Sequence, residues 1–334
     1  MQTRLLQVLT FSVAALLVFV AWFGWFAFSP VGLSGASVDF SIRSGSSLRG
    51  ATRQMIDAGV NISAWPFVLL VRISAGDSSI KAGSYQVADG VTPWNLMRKI
   101  TLGDFTQAEI VFLEGWTFRQ VRAGLNAHND VKHETSGLSD HQILQLLNVP
   151  EKSPEGLFFP DTYLFAKGES DLTILKRAQR AMNRRLQAAW EQRASNLPLA
   201  NPYQALILAS IVEKETGLTS DRPMVAGVFV NRLRSGMALQ TDPTVIYGIG
   251  EKFDGNLRKR DLMKDTPYNT YTRPGLPPSP ISMPGQASLM AAVNPAPTGA
   301  LYFVARGDGS SVFSQTLDEH NRAVTRYQLR GAKP

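Results

Sequence analysis

Apolar and polar positions first separate at the N-terminus, where the 24 residues from Leu5 to Phe28 include only three polar side chains, Gln7, Thr10 and Ser12. As a helix rising 1.5 Å per residue this run is about 36 Å long, enough to cross a hydrocarbon core of roughly 30 Å. It predicts a transmembrane anchor over 5–28, with Arg4 and the terminal amine on the cytoplasmic side and residues 29–334 on the other. Trp22, Trp25 and Phe26 then form the outer interfacial belt. The rival is a cleaved signal peptide, because Ser34, Gly35 and Ala36 make a tolerable small-residue site. The run nevertheless exceeds the usual h-region of about 7–15 residues, which favours an uncleaved anchor.

Residues 29–37 read as a Pro/Gly/Ser linker, after which Val38 to Ile42 alternates with the period of a strand. Leu48, Met55 and Ile56 mark an amphipathic helix and Trp65, Val68, Leu69 and Val71 a second. Tyr85 to Val87 is a return strand, and Trp94, Leu96, Met97 and Ile100 mark a further helix closed by Gly103. This order predicts a small α+β domain over 38–107, either a binding module or a spacer.

A larger mixed α+β domain is predicted over 108–334, opening with a strand from Ala108 to Leu113. Thr117 caps a helix with Phe118, Val121 and Leu125 on one face, and Ser139 caps a short one. Asp171 opens a long helix whose apolar stripe is Leu172, Leu175, Ala178, Met182, Leu186 and Ala189. Its other face carries Lys176, Arg177, Arg180, Arg184 and Arg185, a solvated face or a polyanion surface. Asn201 and Pro202 cap a nearly all-apolar helix that ends at Gly217, and Ser220 caps the next, which Gly236 ends. About sixty residues of low periodicity follow, rich in Pro, Gly, Tyr, Asn and Thr. Leu301–Ala305 and Ser311–Ser314 flank Gly307-Asp308-Gly309 as a hairpin.

Composition narrows the chemistry. The chain of 334 residues is 44% hydrophobic and 18% charged, so it can bury a core, and with a mean hydropathy of -0.07 it has room for one span at most. It has no cysteine, which excludes disulfides, thiolate metal sites and a cysteine nucleophile while leaving the compartment open. A net charge of +7 suits nucleic acid, anionic membrane or an anionic polymer. For an exported domain the first is excluded and wall polymer or lipid comes forward. His128, His133, His141 and His320 lack ligand spacing and there is no Gly-rich phosphate loop, so neither metal nor cofactor is expected.

Glu215, in the last turn of the 202–216 helix, follows Leu208, Ile211 and Val212 by seven, four and three residues and shares their face, whereas Glu213 follows Ala209 and Ser210. Desolvation and the negative end of the helix dipole would both hold the Glu215 proton, as a general acid requires. A solvated, frayed helix end is the other reading of these residues. The long polar and aromatic loops suit a sugar, or are simply proline-stiffened structure.

Six segments carry a resemblance: Glu155-Gly-Leu-Phe-Phe-Pro-Asp-Thr-Tyr163, Ala209-Ser-Ile-Val-Glu-Lys-Glu-Thr216, Phe229-Val-Asn-Arg-Leu233, Leu239-Gln-Thr-Asp-Pro-Thr-Val-Ile-Tyr-Gly248, Tyr268-Asn-Thr-Tyr271 and Glu319-His-Asn321. In these, and over about Glu109 to Val324, the chain resembles the YceG-like family of endolytic murein transglycosylases. The resemblance implies one inner-membrane helix with the rest periplasmic, a LysM-like small domain and Glu215 as the catalytic acid. It also implies cleavage of the MurNAc–GlcNAc β-1,4 bond inside peptidoglycan strands, leaving 1,6-anhydro-MurNAc ends and terminating strand elongation. One acid suffices if the sugar's own C6 hydroxyl attacks, whereas an ordinary glycosidase needs two carboxylates. Gln240, Asp242, Tyr247, Asn269 and Tyr271 are expected around the groove, and peptidoglycan synthases of the elongation or division machinery are the expected protein partners. The alternatives are a hydrolase pairing Glu215 with Asp242, and a non-catalytic wall-binding scaffold.

Overall fold

The computed structural model describes residues 2–35, 37–43, 45–76, 80–104 and 107–329, without the side chains of residues 2–6 and Leu329. Ala36 of the candidate cleavage site, the Arg4 side chain, the terminal amine, residues 105–106 at the expected domain boundary and residues 330–334 lie outside the described residues. The architecture is mixed α+β behind an N-terminal apolar helix. The chain forms two compact units, Met1–Ala108 with Leu164–Glu169, and Glu109–Tyr163 with Ser170–Pro334.

In the first unit, α1 (Gln2–Phe28) contains the apolar stretch Gln7–Phe28, long enough to cross a membrane. Ser37–Ile42 pairs antiparallel with Gly83–Ala88, setting Val38 opposite Val87 and Phe40 opposite Tyr85, and the strand alternation buries Val38, Phe40 and Ile42. Helices α2 (Leu48–Asp57), α3 (Ala64–Ser74) and α4 (Pro93–Leu102) complete the unit. Ser47 and Thr92 cap α2 and α4 by accepting from backbone N–H groups, and Gly103 closes α4 in the left-handed conformation. Met55, Phe67, Val71, Tyr85 and Leu96 share one core with Ala27 near the end of α1. The expected elements appear in order, with an added two-residue pair, Gly32–Leu33 in the expected linker and Val60–Asn61 between α2 and α3, and Trp65 is not on the inward stripe. It is 59% exposed and stacks on Trp22 of α1, ring centroids 5.4 Å apart.

The second unit is largely helical. α5 (Phe118–Ala127) and α6 (Asp140–Leu147) both start with capping boxes, Thr117 with Gln120 and Ser139 with Gln142. α7 (Asp171–Glu191) buries Leu175, Ala178, Met182, Leu186 and Ala189 as its periodicity predicts. α8 (Pro202–Glu215) is capped by Asn201, which accepts from Gln204 N–H at 3.0 Å. It is surrounded by α7, α9 (Arg222–Arg234) and, later in the chain, the helix over 286–293, so every residue from Ala205 to Val212 is buried. Ser220 does not cap α9. It lies in a 3-10 turn, Thr219–Asp221, that hands directly into Arg222 and Pro223.

The stretch of low periodicity holds α10 (Asp242–Ile249), which begins at Asp242-Pro243, and the single-turn α11 (Lys259–Met263). At eight residues and without a regular polar face, α10 is too short for periodicity to show. α12 (Gln286–Val293) packs on α8 and α9. The hairpin Tyr302–Ala305 with Ser311–Ser314 follows, Val304 opposite Val312, then α13 (Leu317–Val324), which runs into a π-helical turn, Thr325–Leu329.

Candidate active site

Glu215 ends α8 and faces the start of α10. Its carboxylate oxygen Oε1 accepts a hydrogen bond from the Thr241 hydroxyl, at the N-cap position of α10. The residue as a whole is half-buried, but its carboxyl sits in dense protein and its pKa is pushed up to about 7. Burial is the main cause; the Thr241 hydrogen bond opposes it, the Asp242 charge adds to it, and Arg232 opposes it again. The raising charge is thus a neighbouring carboxylate, a contribution that helix phase alone does not reveal.

Arg232 of α9 is the cation behind this carboxyl. Its guanidinium is committed to backbone, donating to the carbonyls of Leu301 at 2.7 Å and Leu239 at 2.8 Å, and it lies over the Tyr302 ring. Burial lowers its pKa. Because its donors are spent on carbonyls, Arg232 damps the Glu215 shift without forming an ion pair that would strip the proton.

Asp242 is exposed and its Oδ1 accepts from the Tyr271 hydroxyl at 2.6 Å. Gln240 is exposed beside them at φ 49, a left-handed conformation held by its N–H bond to Thr270 O at 3.0 Å. Of the residues expected around the groove, the structure therefore gathers Gln240, Asp242 and Tyr271 near Glu215. Asn269 is elsewhere in role: it is fully buried, its amide nitrogen donates to the carbonyls of Leu262 at 3.0 Å and Lys264 at 2.7 Å, and its amide oxygen accepts from Tyr271 N–H. It shapes the loop that carries Tyr271.

Tyr247 points to a second carboxyl that the residue-level chemistry overlooked, Glu155. Glu155 is buried, accepts from Phe118 N–H at 2.9 Å and from the Tyr247 hydroxyl at 3.1 Å, and has its pKa pushed up to about 7 by burial. The available signal was an acid set immediately before the apolar run Gly-Leu-Phe-Phe-Pro. A cavity of ≈ 860 Å³ is lined by Glu155, Tyr247, Arg119, Lys214, Ile246 and others of the same unit. Glu215 is not among its walls, but its chain neighbour Lys214 is.

Glu213 corrects the expectation from helix phase. Its side chain is also buried: its Oε1 pairs with Arg222 Nη2 at 2.9 Å, with side-chain exposures of 5% and 7%, and its Oε2 accepts from Gly285 N–H at 2.9 Å. Both acids turn into protein because α8 is enclosed on several sides. They differ in partner, a guanidinium for Glu213 and a hydroxyl for Glu215.

A carboxyl that keeps its proton near neutrality, with a hydroxyl-bearing polar surround, can give a proton to a leaving oxygen and take one back. Among the described residues no group of three or more His, Asp or Glu side chains is placed to hold a metal ion. The site is therefore one suited to general acid–base chemistry. The chain belongs to the YceG-like family, whose model matches residues 40–326. It is 33% identical over 312 residues to the endolytic murein transglycosylase of Bacillus subtilis, covering 88% of this chain and 86% of that protein. It is 25% identical over 283 residues to the protein of the same name from Streptococcus pneumoniae, covering 75% of this chain and 51% of the relative, so it spans about half that relative's length. A crystal structure of a YceG-like protein from Listeria monocytogenes matches with TM-score 0.54 at 30% identity, over 86% of this chain and 98% of that one.

Proposed function

We propose that this chain is a membrane-anchored endolytic lytic transglycosylase, cleaving MurNAc–GlcNAc β-1,4 bonds within nascent peptidoglycan strands and leaving 1,6-anhydro-MurNAc ends. The observation that carries this reading is the Glu215 carboxyl, whose pKa burial pushes up to about 7, so that it can both give and take a proton near neutrality, and which accepts a hydrogen bond from Thr241. The names of the Bacillus and Streptococcus relatives support the substrate.

In the proposed reaction Glu215 donates its proton to the glycosidic oxygen as the bond from MurNAc C1 breaks, and the GlcNAc O4 leaves as a hydroxyl. The substrate's N-acetyl group stabilises the electron-poor C1. The Glu215 carboxylate then takes the proton of the MurNAc C6 hydroxyl, whose oxygen closes on C1, so no water is consumed and the acid is regenerated. Thr241 orients the carboxyl, while Asp242 with Tyr271 and the exposed Gln240 offer polar contacts to the sugar.

Residues 5–28 are proposed to anchor the chain in the inner membrane with residues 29–334 periplasmic, ahead of a LysM-like domain at 38–107 and the catalytic domain at 108–334. N-terminal sequencing of the mature protein that starts near Ser37 would remove the anchor. Tethering raises the effective concentration beside emerging strands, so peptidoglycan synthases of the elongation or division machinery are the proposed neighbours, testable by crosslinking.

The Asp242 charge acting on Glu215 keeps one second reading in play, a two-carboxylate hydrolase. Mass spectrometry of products from purified glycan separates the two: the transglycosylase product is lighter by one water. A reducing MurNAc end as the sole product would replace the proposal with the hydrolase, and intact glycan would leave a scaffold.

A further inference from the structure

The first unit holds a large cavity that the proposed reaction does not use. It lies between α2 and α3, with a volume of ≈ 870 Å³. α2 presents Arg49, Arg53 and Ile56 to it at i, i+4 and i+7, and α3 presents Trp65, Leu69 and Arg72 at the same spacing. Three arginines face one acid, Asp57, so the wall is cationic. Ile56 is 38% exposed and Trp65 more so, which leaves apolar surface open beside the guanidinium groups.

The position of this groove along α1 supplies the occupant. Trp65 stacks on Trp22, which precedes the end of α1 at Phe28 by six residues, about 9 Å along the axis. If α1 spans the bilayer, Trp22 lies where tryptophan favours the headgroup boundary. The groove then opens at headgroup depth, where it offers aromatic and aliphatic groups to acyl chains and arginines to phosphates. A neutral sugar would gain little from three guanidinium groups, whereas a lipid phosphate with its attached chain matches both halves of the wall.

We propose that the α2–α3 groove binds anionic phospholipid and thereby docks the small unit onto the membrane beside its own anchor. This rests on the reading of α1 as a span. Each basic residue near an anionic surface is worth about 1 kcal/mol, a factor of about five, so Arg49 and Arg53 together shift docking roughly twenty-five-fold.

The chain has no cysteine, so Ile56→Cys creates a unique label site. The full chain carrying it is reconstituted in vesicles of phosphatidylcholine alone or with added phosphatidylglycerol, and modification by a water-soluble maleimide is timed. The expected result is labelling at least about fivefold slower with phosphatidylglycerol, abolished by Arg49→Gln with Arg53→Gln, and absent from a Met263→Cys control on the exposed surface of the other unit. Equal rates in the two lipids, protection that survives loss of both arginines, or protection by soluble glycan in place of anionic lipid would overturn the proposal. Release of the chain from vesicles by alkaline carbonate would overturn the span, a separate readout from the labelling rate.

Discussion

Glu213 and Glu215 sit two residues apart on one helix, and their glutamine variants should fail in opposite ways. In Glu215→Gln the side chain keeps its size but loses the transferable proton, and general acid–base help is worth about 10²–10⁴-fold in rate. Its effect on stability has the other sign. The folded chain holds the Glu215 proton up to about 7, against a reference value of 4.5. The folded state therefore binds more protons through this window, and stability is lost as pH rises from about 4.5 past about 7. At 1.36 kcal/mol per pH unit the ionised carboxylate costs roughly 3 kcal/mol at alkaline pH. Glutamine does not titrate, so the variant should melt higher than the parent at about pH 9 and nearly the same at about pH 4.

Glu213→Gln does the reverse. It leaves the Arg222 guanidinium, 7% exposed, with only the more distant and more exposed Glu114 carboxylate at 3.7 Å, and breaking one side of a buried pair costs up to about 3–5 kcal/mol. Thermal melting and anhydro-MurNAc release, measured on the same glycan at a temperature where both variants are folded, distinguish the two. A Glu215→Gln protein that still forms anhydro ends at near-parental rate, or that melts lower than the parent at high pH, refutes the reasoning. So does a folded Glu213→Gln protein that is silent.

Thr241→Val removes the hydroxyl that lowers the Glu215 pKa, so the alkaline fall of the pH–rate profile should move above about 7; an unmoved or acid-shifted limb in kcat/KM contradicts the hydrogen bond's role. Asn269→Ala leaves the partly buried carbonyls at 262 and 264 without this donor and should destabilise by about 1–3 kcal/mol in denaturant unfolding, whereas Tyr271→Phe, losing one bond to exposed Asp242, should lower turnover with little change in melting. Gly227→Ala places a Cβ 2.7 Å from the Thr298 methyl and 2.9 Å from the Ala296 carbonyl, which should cost about 1–3 kcal/mol; an unchanged melting temperature would mean that this close approach relaxes freely.

Local pattern determined a good deal of this protein. The apolar stretch of α1, the caps at Thr117, Ser139 and Asn201, and most of the burial stripe of α7 follow from interactions within a few residues, and these are visible in the chain. The site is different because its decisive contacts join distant segments. Helix phase distinguishes an inner from an outer face only when a helix has both, and α8 is buried throughout from Ala205 to Val212, so phase could not tell a paired Glu213 from an unpaired Glu215. That distinction came from Arg222, brought across by the turn into α9, and from Thr241, brought in by α10. Likewise Tyr247 meets Glu155 across 92 residues of sequence, and Trp65, apolar by type, turns outward because Trp22 of another helix is there to receive it. Residue type and spacing set which groups could ionise, cap or bury; only the tertiary structure decided which carboxyl meets a cation and which a hydroxyl, and burial converts that choice of partner into the protonation state at neutral pH.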